Sequence, residues 1–282
     1  MPITVYGEVN PDHARFLVPR DALLWRYMDI GKYLDLITTS RLWFTRVSEF
    51  QKIDPYEAAL TKYDEDKTTK IVEAKSNEEL KEILMQYGET GISNLLEQFP
   101  DKSMYFFQLL YLSRLPHVHL NAYTHSVSCW HENPTESDAM WALYAGRDAG
   151  IAIKSTVTRV LEAFGSAERT MSIAKVTYDS LGHLSVLSAG IFDSLLVKRH
   201  AFHHENEVRI IALTMDGYES PDWTKNNQIY NVDASKPVVP GVYIDCNIRS
   251  LIEEVVLSCF CYPIRYPLQL PDHFGARGRG AA

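Results

Sequence analysis

The chain has 282 residues, of which 46% are apolar, 23% charged and 11% aromatic, with 14 Gly and 13 Pro. These proportions exclude collagen-like, low-complexity and wholly disordered classes, and the length suffices for a single large domain with a substantial core. A net charge of −8 argues against wholesale wrapping of nucleic acid while leaving room for a local basic groove.

No apolar run approaches the roughly 20 residues of a membrane span, and the opening MPITVYGEVN lacks a basic-then-apolar leader pattern. Four cysteines (Cys129, Cys246, Cys259, Cys261) do not make a disulfide framework in a chain of this size. A reduced, cytoplasmic protein without a membrane segment is the expectation.

The first 20 residues, with turn cues at Asn10-Pro11, Pro19 and Asp21, read as an irregular arm. Leu23–Tyr27 reads as a short strand, Asp29 as the cap of a helix through Lys32–Ile37, and Leu42–Thr45 as a second strand. Residues 57–75 are dense in charge and read as a polar loop. Ser76 followed by Glu79 has capping-box form and opens a helical insertion over 76–115, with segments at Leu95–Phe99 and Met104–Leu115. Beyond Pro116, Tyr123–Trp130 alternates like a strand, Thr135–Ala145 reads as a helix and Gly150–Ile153 as a buried strand. A helix over Thr156–Phe164 closes on Gly165. Strands are expected at Met171–Tyr178, Val208–Leu213, Val238–Ile244 and Glu254–Cys261, with a helix over Leu187–Arg199. Residues 275–282 read as a flexible tail. Strands outnumber crossover helices and do not alternate strictly with them, which defines an α+β fold with a mixed or antiparallel sheet over residues 1–282.

The richest segment for chemistry is His200 to Ile211, where Glu205 and Glu207 enter an apolar run. Two carboxylates two residues apart on an extended chain point to one side, and carboxylates held close suit acid/base or cation-stabilising work. The plain alternative is a solvated strand end. His200, His203, His204 and Glu207 match no zinc spacing, His117-x-His119 is isolated, and Cys259-x-Cys261 alternates into an apolar run, so no metal is expected. Dinucleotide, phosphate-loop and Gly-x-Ser-x-Gly patterns do not occur. Cys129 reads as a small buried hydrophobe before a nucleophile. Ser126 and Ser128 share one side of their strand, either as a carboxylate-holding pair or as a wet edge. Arg26 stands inside an apolar strand, either snorkelling or aimed at a phosphate or carboxylate.

Leu24-Trp25-Arg26-Tyr27, Leu42-Trp43-Phe44-Thr45, Asp54-Pro55-Tyr56-Glu57, Ser128-Cys129-Trp130, Met140 to Ala145, Gly150 to Ile153, Lys198 and Glu205 to Arg209 follow one another in an order that resembles a bacterial family catalogued as domain of unknown function 2971. The resemblance spans Leu23 to Ile211, and Ile53 stands where that family usually has Asn. A second resemblance rests on Arg26, Ser126-Val127-Ser128 and Glu205-Asn206-Glu207. Their order is similar to that of ADP-ribosyltransferases of the Arg/Ser-x-Ser/Glu-x-Glu type, with Val127 in place of the usual Thr.

That resemblance implies a split sheet around an NAD cleft, with NAD as substrate. Arg26 would bind the NAD phosphates, Ser126 and Ser128 would orient Glu207, and Glu207 would hydrogen-bond the nicotinamide ribose. Glu205 would position or deprotonate the acceptor, with Tyr27, Trp130, Trp141 and Tyr144 beside the cofactor. The implied activity is transfer of ADP-ribose to a macromolecule, protein or nucleic acid, by a bacterial toxin or anti-phage effector with a possible antitoxin. Two other readings stay open: a non-catalytic interaction module in which Arg26, Glu205 and Glu207 form an ion network, and a nuclease holding Mg²⁺ through Asp54, Glu57, Glu205 and Glu207.

Overall fold

A computed structural model describes residues 3–8, 11–87, 103–145, 150–179, 192–215, 239–258 and 264–267. Its centre is a large mixed sheet. Strand β1 (Ile3–Val5) pairs in parallel with β6 (Met171–Lys175), whereas the other pairings in this sheet are antiparallel. From β6 the order runs through β9 (Glu207–Leu213), β4 (His125–Glu132), β2 (Leu23–Asp29), β5 (Gly150–Thr156), β11 (Glu254–Leu257) and β12 (Ile264–Pro267). Two short strands, β7 (Thr177–Asp179) and β8 (Val197–Arg199), form a separate parallel ribbon. The α+β class and the mixed sheet agree with the sequence pattern.

The sheet forks at β4. Over Glu132 and His131, β4 pairs with β2, but over Val127 and Ser126 it pairs with β3 (Arg41–Arg46), which carries β10 (Gly241–Asp245) on its far side. Helix α1 (Ile30–Thr39) joins the two prongs. Asp29 caps it by accepting from the Lys32 N–H, as the sequence indicates, and Leu36 buries its inner face.

One face of the sheet buries Leu24, Phe44, Trp130, Ile153, Val208 and Ile210 against α1, α6 (Val157–Ala163) and α7 (Ile248–Leu251). The other face buries Val127, Ala174 and Ile211 against α2 (Val47–Phe50) and against Val118 and Ala122 of α5 (Ser103–Thr124). Alternation along β4 and β9 sends their two sets of apolar side chains into these two cores, whereas the second face of β2 and β5 packs Trp25, Tyr27 and Ala152 with Met140 in a separate cluster.

Several local expectations are corrected. The stretch expected as a polar loop at 57–75 contains helix α3 (Lys62–Glu73), capped by Thr61 and buried along Asp64, Lys67, Thr68 and Ile71. Its charges conceal the stripe, because Asp64 and Lys67 pair inside the protein at 3.6 Å. Helix α4 (Asn77–Gln86) starts at Ser76 as expected. However, α5 continues through Pro116 to Thr124, where the buried Val118 and Ala122 hold the turns beyond a proline that removes one donor and crowds the carbonyl four residues before it. The Thr135–Ala145 helix reduces to a turn at Asp138–Met140 followed by a π-turn at Trp141–Ala145.

Of the Leu187–Arg199 helix, the described part is a 3-10 turn at Asp193–Leu195 followed by β8, and its start lies outside the described residues. The expected arm supplies edge strand β1 and a 3-10 turn at Pro11–Phe16. It is tied down by Tyr6 and Arg15, which both donate to the buried Asp193. The segments Leu95–Phe99, Cys259–Cys261 and 275–282 lie outside the described residues.

Candidate active site

A cavity of about 620 Å³ occupies the fork, lined by residues of β2, α1, β3, β4, β9 and β10 among others. Arg26, the first residue of β2 after its pairing with β4 ends, stands at the apex. Its guanidinium donates to Ser128 Oγ, to the Cys129 carbonyl at 3.3 Å and to the Trp43 carbonyl at 3.5 Å. Every one of these acceptors is neutral. Burial therefore holds the Arg26 pKa below its ordinary value, outweighing the opposing influence of Cys129. A guanidinium that lines a cavity without a carboxylate favours an anionic ligand.

The same cavity is lined by the Glu-x-Glu segment. Its two carboxylates converge, although not by strand alternation. Glu205 ends a 3-10 turn at His200–Glu205, Asn206 is left-handed at φ 37°, and Glu207 begins β9. Asn is among the few residues that tolerate this backbone region, and its amide donates to the Glu132 carbonyl.

Lys198 joins the two carboxylates, with Nζ 2.5 Å from Glu205 Oε2 and 3.2 Å from Glu207 Oε2. Arg209 grips Glu207 with both Nε and Nη2 and reaches Glu57 at 2.5 Å. Tyr144 donates to Glu205 at 2.7 Å. Burial alone would raise the Glu207 pKa; the Arg209 and Lys198 charges outweigh it and bring it down to about 2. Lys198 is shifted the other way: burial would lower it, but Glu207, Glu57 and Glu205 hold it above its ordinary value. The three carboxylates Glu57, Glu205 and Glu207 face two cations, Lys198 and Arg209, so this wall is anionic by one formal charge.

The sequence expectations for the site divide into two groups. Arg26, Tyr27, Trp130, Tyr144, Glu205 and Glu207 all line the cavity. Ser126 and Ser128 do not orient Glu207. In β4 they alternate with Val127, Cys129 and His131, and it is these three that share the face carrying Glu207. Ser126 bonds Thr214, and Ser128 accepts from Arg26 and Trp130. Cys129 stands one step away on the correct face and donates to Glu207. Burial and the Glu207 charge push its thiol well above the ordinary value, so it acts as a neutral donor and not as a thiolate.

Trp141 also departs from expectation. It packs edge-on against Tyr27 at 5.0 Å, outside the cavity lining. Arg26 is not part of the carboxylate network of the interaction-module reading. Asp54 and Glu57 line the cavity as the nuclease reading requires, yet Asp54 pairs with Arg199 and Glu57 with Arg209. Among the described residues no three His, Cys, Asp or Glu side chains are grouped to hold a metal.

Sequence reasoning missed His131, Arg41, Trp43 and Tyr243. The signal for Arg41 and Trp43 was their period-two spacing with Thr45. His131 Nδ1 donates to the Glu205 carbonyl at 2.5 Å, a bond no local pattern announces.

No protein-family model matches the chain, and neither curated proteins nor solved structures give a match. Among the described residues no helix is long and apolar enough to cross a membrane.

Proposed function

We propose that this protein is an NAD-dependent ADP-ribosyltransferase, with the forked sheet as the split sheet of the Arg/Ser-x-Ser/Glu-x-Glu type. The observation that carries the reading is that Arg26, without a carboxylate partner, and the Glu205–Glu207 pair line the same cavity. The cationic apex suits the NAD diphosphate, and the anionic wall suits the nicotinamide ribose. The bond from ribose C1′ to the nicotinamide nitrogen breaks, its electron pair leaves with nicotinamide, and C1′ becomes oxocarbenium-like. An ionised Glu207 stabilises that cation through charge and a 2′-hydroxyl contact. A nucleophile of the acceptor then bonds C1′ and passes its proton to Glu205. Arg209, Lys198 and Cys129 take over the positioning role expected of the serines. The acceptor is a macromolecule, protein or nucleic acid. The setting is the cytoplasm of a bacterium, as a toxin or phage-defence effector with a possible antitoxin and within the unknown-function family it resembles.

One observation favours the interaction-module reading. Arg209 and Lys198 both bind Glu207, which occupies the oxygens a ribose hydroxyl would use.

The test is release of nicotinamide from labelled NAD by wild type, Glu207→Gln and Arg26→Ala. The transferase reading expects turnover by wild type, a loss of roughly 10²-fold or more in Glu207→Gln, typical of one electrostatic group, and weaker NAD binding in Arg26→Ala. Wild type that neither binds nor consumes NAD leaves the interaction module. Turnover undiminished in Glu207→Gln removes that residue from the mechanism.

A further inference from the structure

The part of the cavity lined by α1, β3 and β10 carries its own chemistry. Arg41 opens β3 and lines the cavity together with Trp43 and Thr45, on one face of the strand. Its guanidinium lies 5.2 Å from the centre of the Tyr243 ring. Arg41 makes no ion pair among the described residues, although Asp245 stands opposite it in register. Arg26, at the fork apex, also has only neutral partners. Two guanidinium groups lining one cavity, neither of them ion-paired to a carboxylate among the described residues, suit a ligand that carries more than one negative charge.

Trp43 beside them is fixed in place. Its Nε1 donates to Thr45 Oγ1 at 3.1 Å, and its ring meets that of Tyr243 at 4.8 Å and 66°. Its indole also crosses the backbone of Gly241 so closely that a Cβ there would stand 2.5 Å from Cζ2. An aromatic surface held this firmly loses little freedom when a flat heterocycle lies against it. Asp35 of α1, which accepts from the Tyr243 hydroxyl, adds a carboxylate within reach of sugar hydroxyls.

We propose that the part of the cavity bounded by α1, β3 and β10 binds a purine nucleoside diphosphate, with Arg41 and Arg26 on the diphosphate and Trp43 and Tyr243 against the base. It rests on the transferase reading only for what lies beyond the diphosphate, because ADP alone presents the recognised groups.

Calorimetric titration with ADP tests it. Wild type binds ADP, and Arg41→Ala and Trp43→Leu each weaken binding roughly tenfold or more, the size of one charge-assisted or stacking contact. Arg41→Lys retains part of the affinity. Lys52→Ala, an exposed cation outside the cavity, leaves it unchanged. Arg41 is exposed, so the melting temperature of its variants stays at the wild-type value and separates lost binding from lost fold. Wild type that fails to bind millimolar ADP, or Arg41→Ala that binds it as tightly as wild type, overturns the proposal. Arg41-dependent ADP binding without NAD consumption sinks the transferase reading and leaves this one standing. NAD turnover with a KM indifferent to Arg41→Ala does the reverse.

Discussion

Replacing Glu207 by Gln tests the electrostatic account of the cavity wall. The Glu207 side chain is buried, and its pKa falls from an ordinary 4.5 to about 2, because Arg209 and Lys198 outweigh the effect of burial. A carboxyl with a depressed folded-state pKa stabilises the fold fully above its unfolded value, and that contribution disappears as pH falls toward the folded value. At 1.36 kcal/mol per pKa unit, the displacement corresponds to about 3 kcal/mol near pH 7 and about 1 kcal/mol near pH 3. Glu207→Gln removes the charge while keeping the shape. Urea unfolding of both proteins across this range therefore shows a difference of about 3 kcal/mol near neutrality that shrinks steadily below about pH 4.5. A difference that stays constant with pH would falsify the assignment of the effect to ionised Glu207.

Three further outcomes are expected. His125 is buried and held neutral, its pKa lowered from 6.5 to about 4 by burial, with the Asn121 carbonyl opposing and Arg46 adding to the shift. Unfolding exposes a histidine that takes up a proton. Stability therefore declines as pH falls through the window from 6.5 to 4, by about 3 kcal/mol, and His125→Asn flattens that part of a melting-temperature profile. Arg46 has no exposed surface and donates to the carbonyls of Tyr123, Thr214 and Val239. Arg46→Met orphans those oxygens and costs about 3 kcal/mol in chemical denaturation; a loss under about 1 kcal/mol would mean that water replaces the guanidinium. In Gly241→Ala the new methyl would stand 2.3 Å from the Phe44 carbonyl oxygen, a backbone atom that cannot swing aside. The expected cost is about 1–3 kcal/mol of stability, seen as a lower melting temperature.

What the sequence made legible follows physical lines. Arg26, Glu205 and Glu207 stood out as charges set in or against apolar runs, with snorkelling and a solvated strand end as the plain alternatives, and all three line the cavity. Ser126 and Ser128 were misassigned because alternation shows that two faces differ but not which face shares Glu207. That choice depends on cross-strand register, which places Cys129 opposite Arg209 and His131 opposite Glu207. The convergence of Glu205 and Glu207 was anticipated for the wrong reason, since left-handed Asn206 and Lys198 bring them together. Helix α3 was hidden because Asp64 and Lys67, read as solvated, satisfy each other inside. Arg41 was passed over because its significance comes from neighbours on α1 and β10, far away along the chain.

The bar that spans the two prongs has a further consequence. Helix α1 holds ten residues between the end of β2 and the start of β3, and at a rise of 1.5 Å per residue it measures about 15 Å from end to end. Capped at Asp29 and closed by left-handed Ser40, it is a connector of defined length at both ends, and with the pairing of each prong to β4 it constrains how far the fork can spread. Deleting or adding one helical turn would change the length of this connector by about 5 Å, which makes the helix a place to attempt resizing the cleft for shorter or longer ligands.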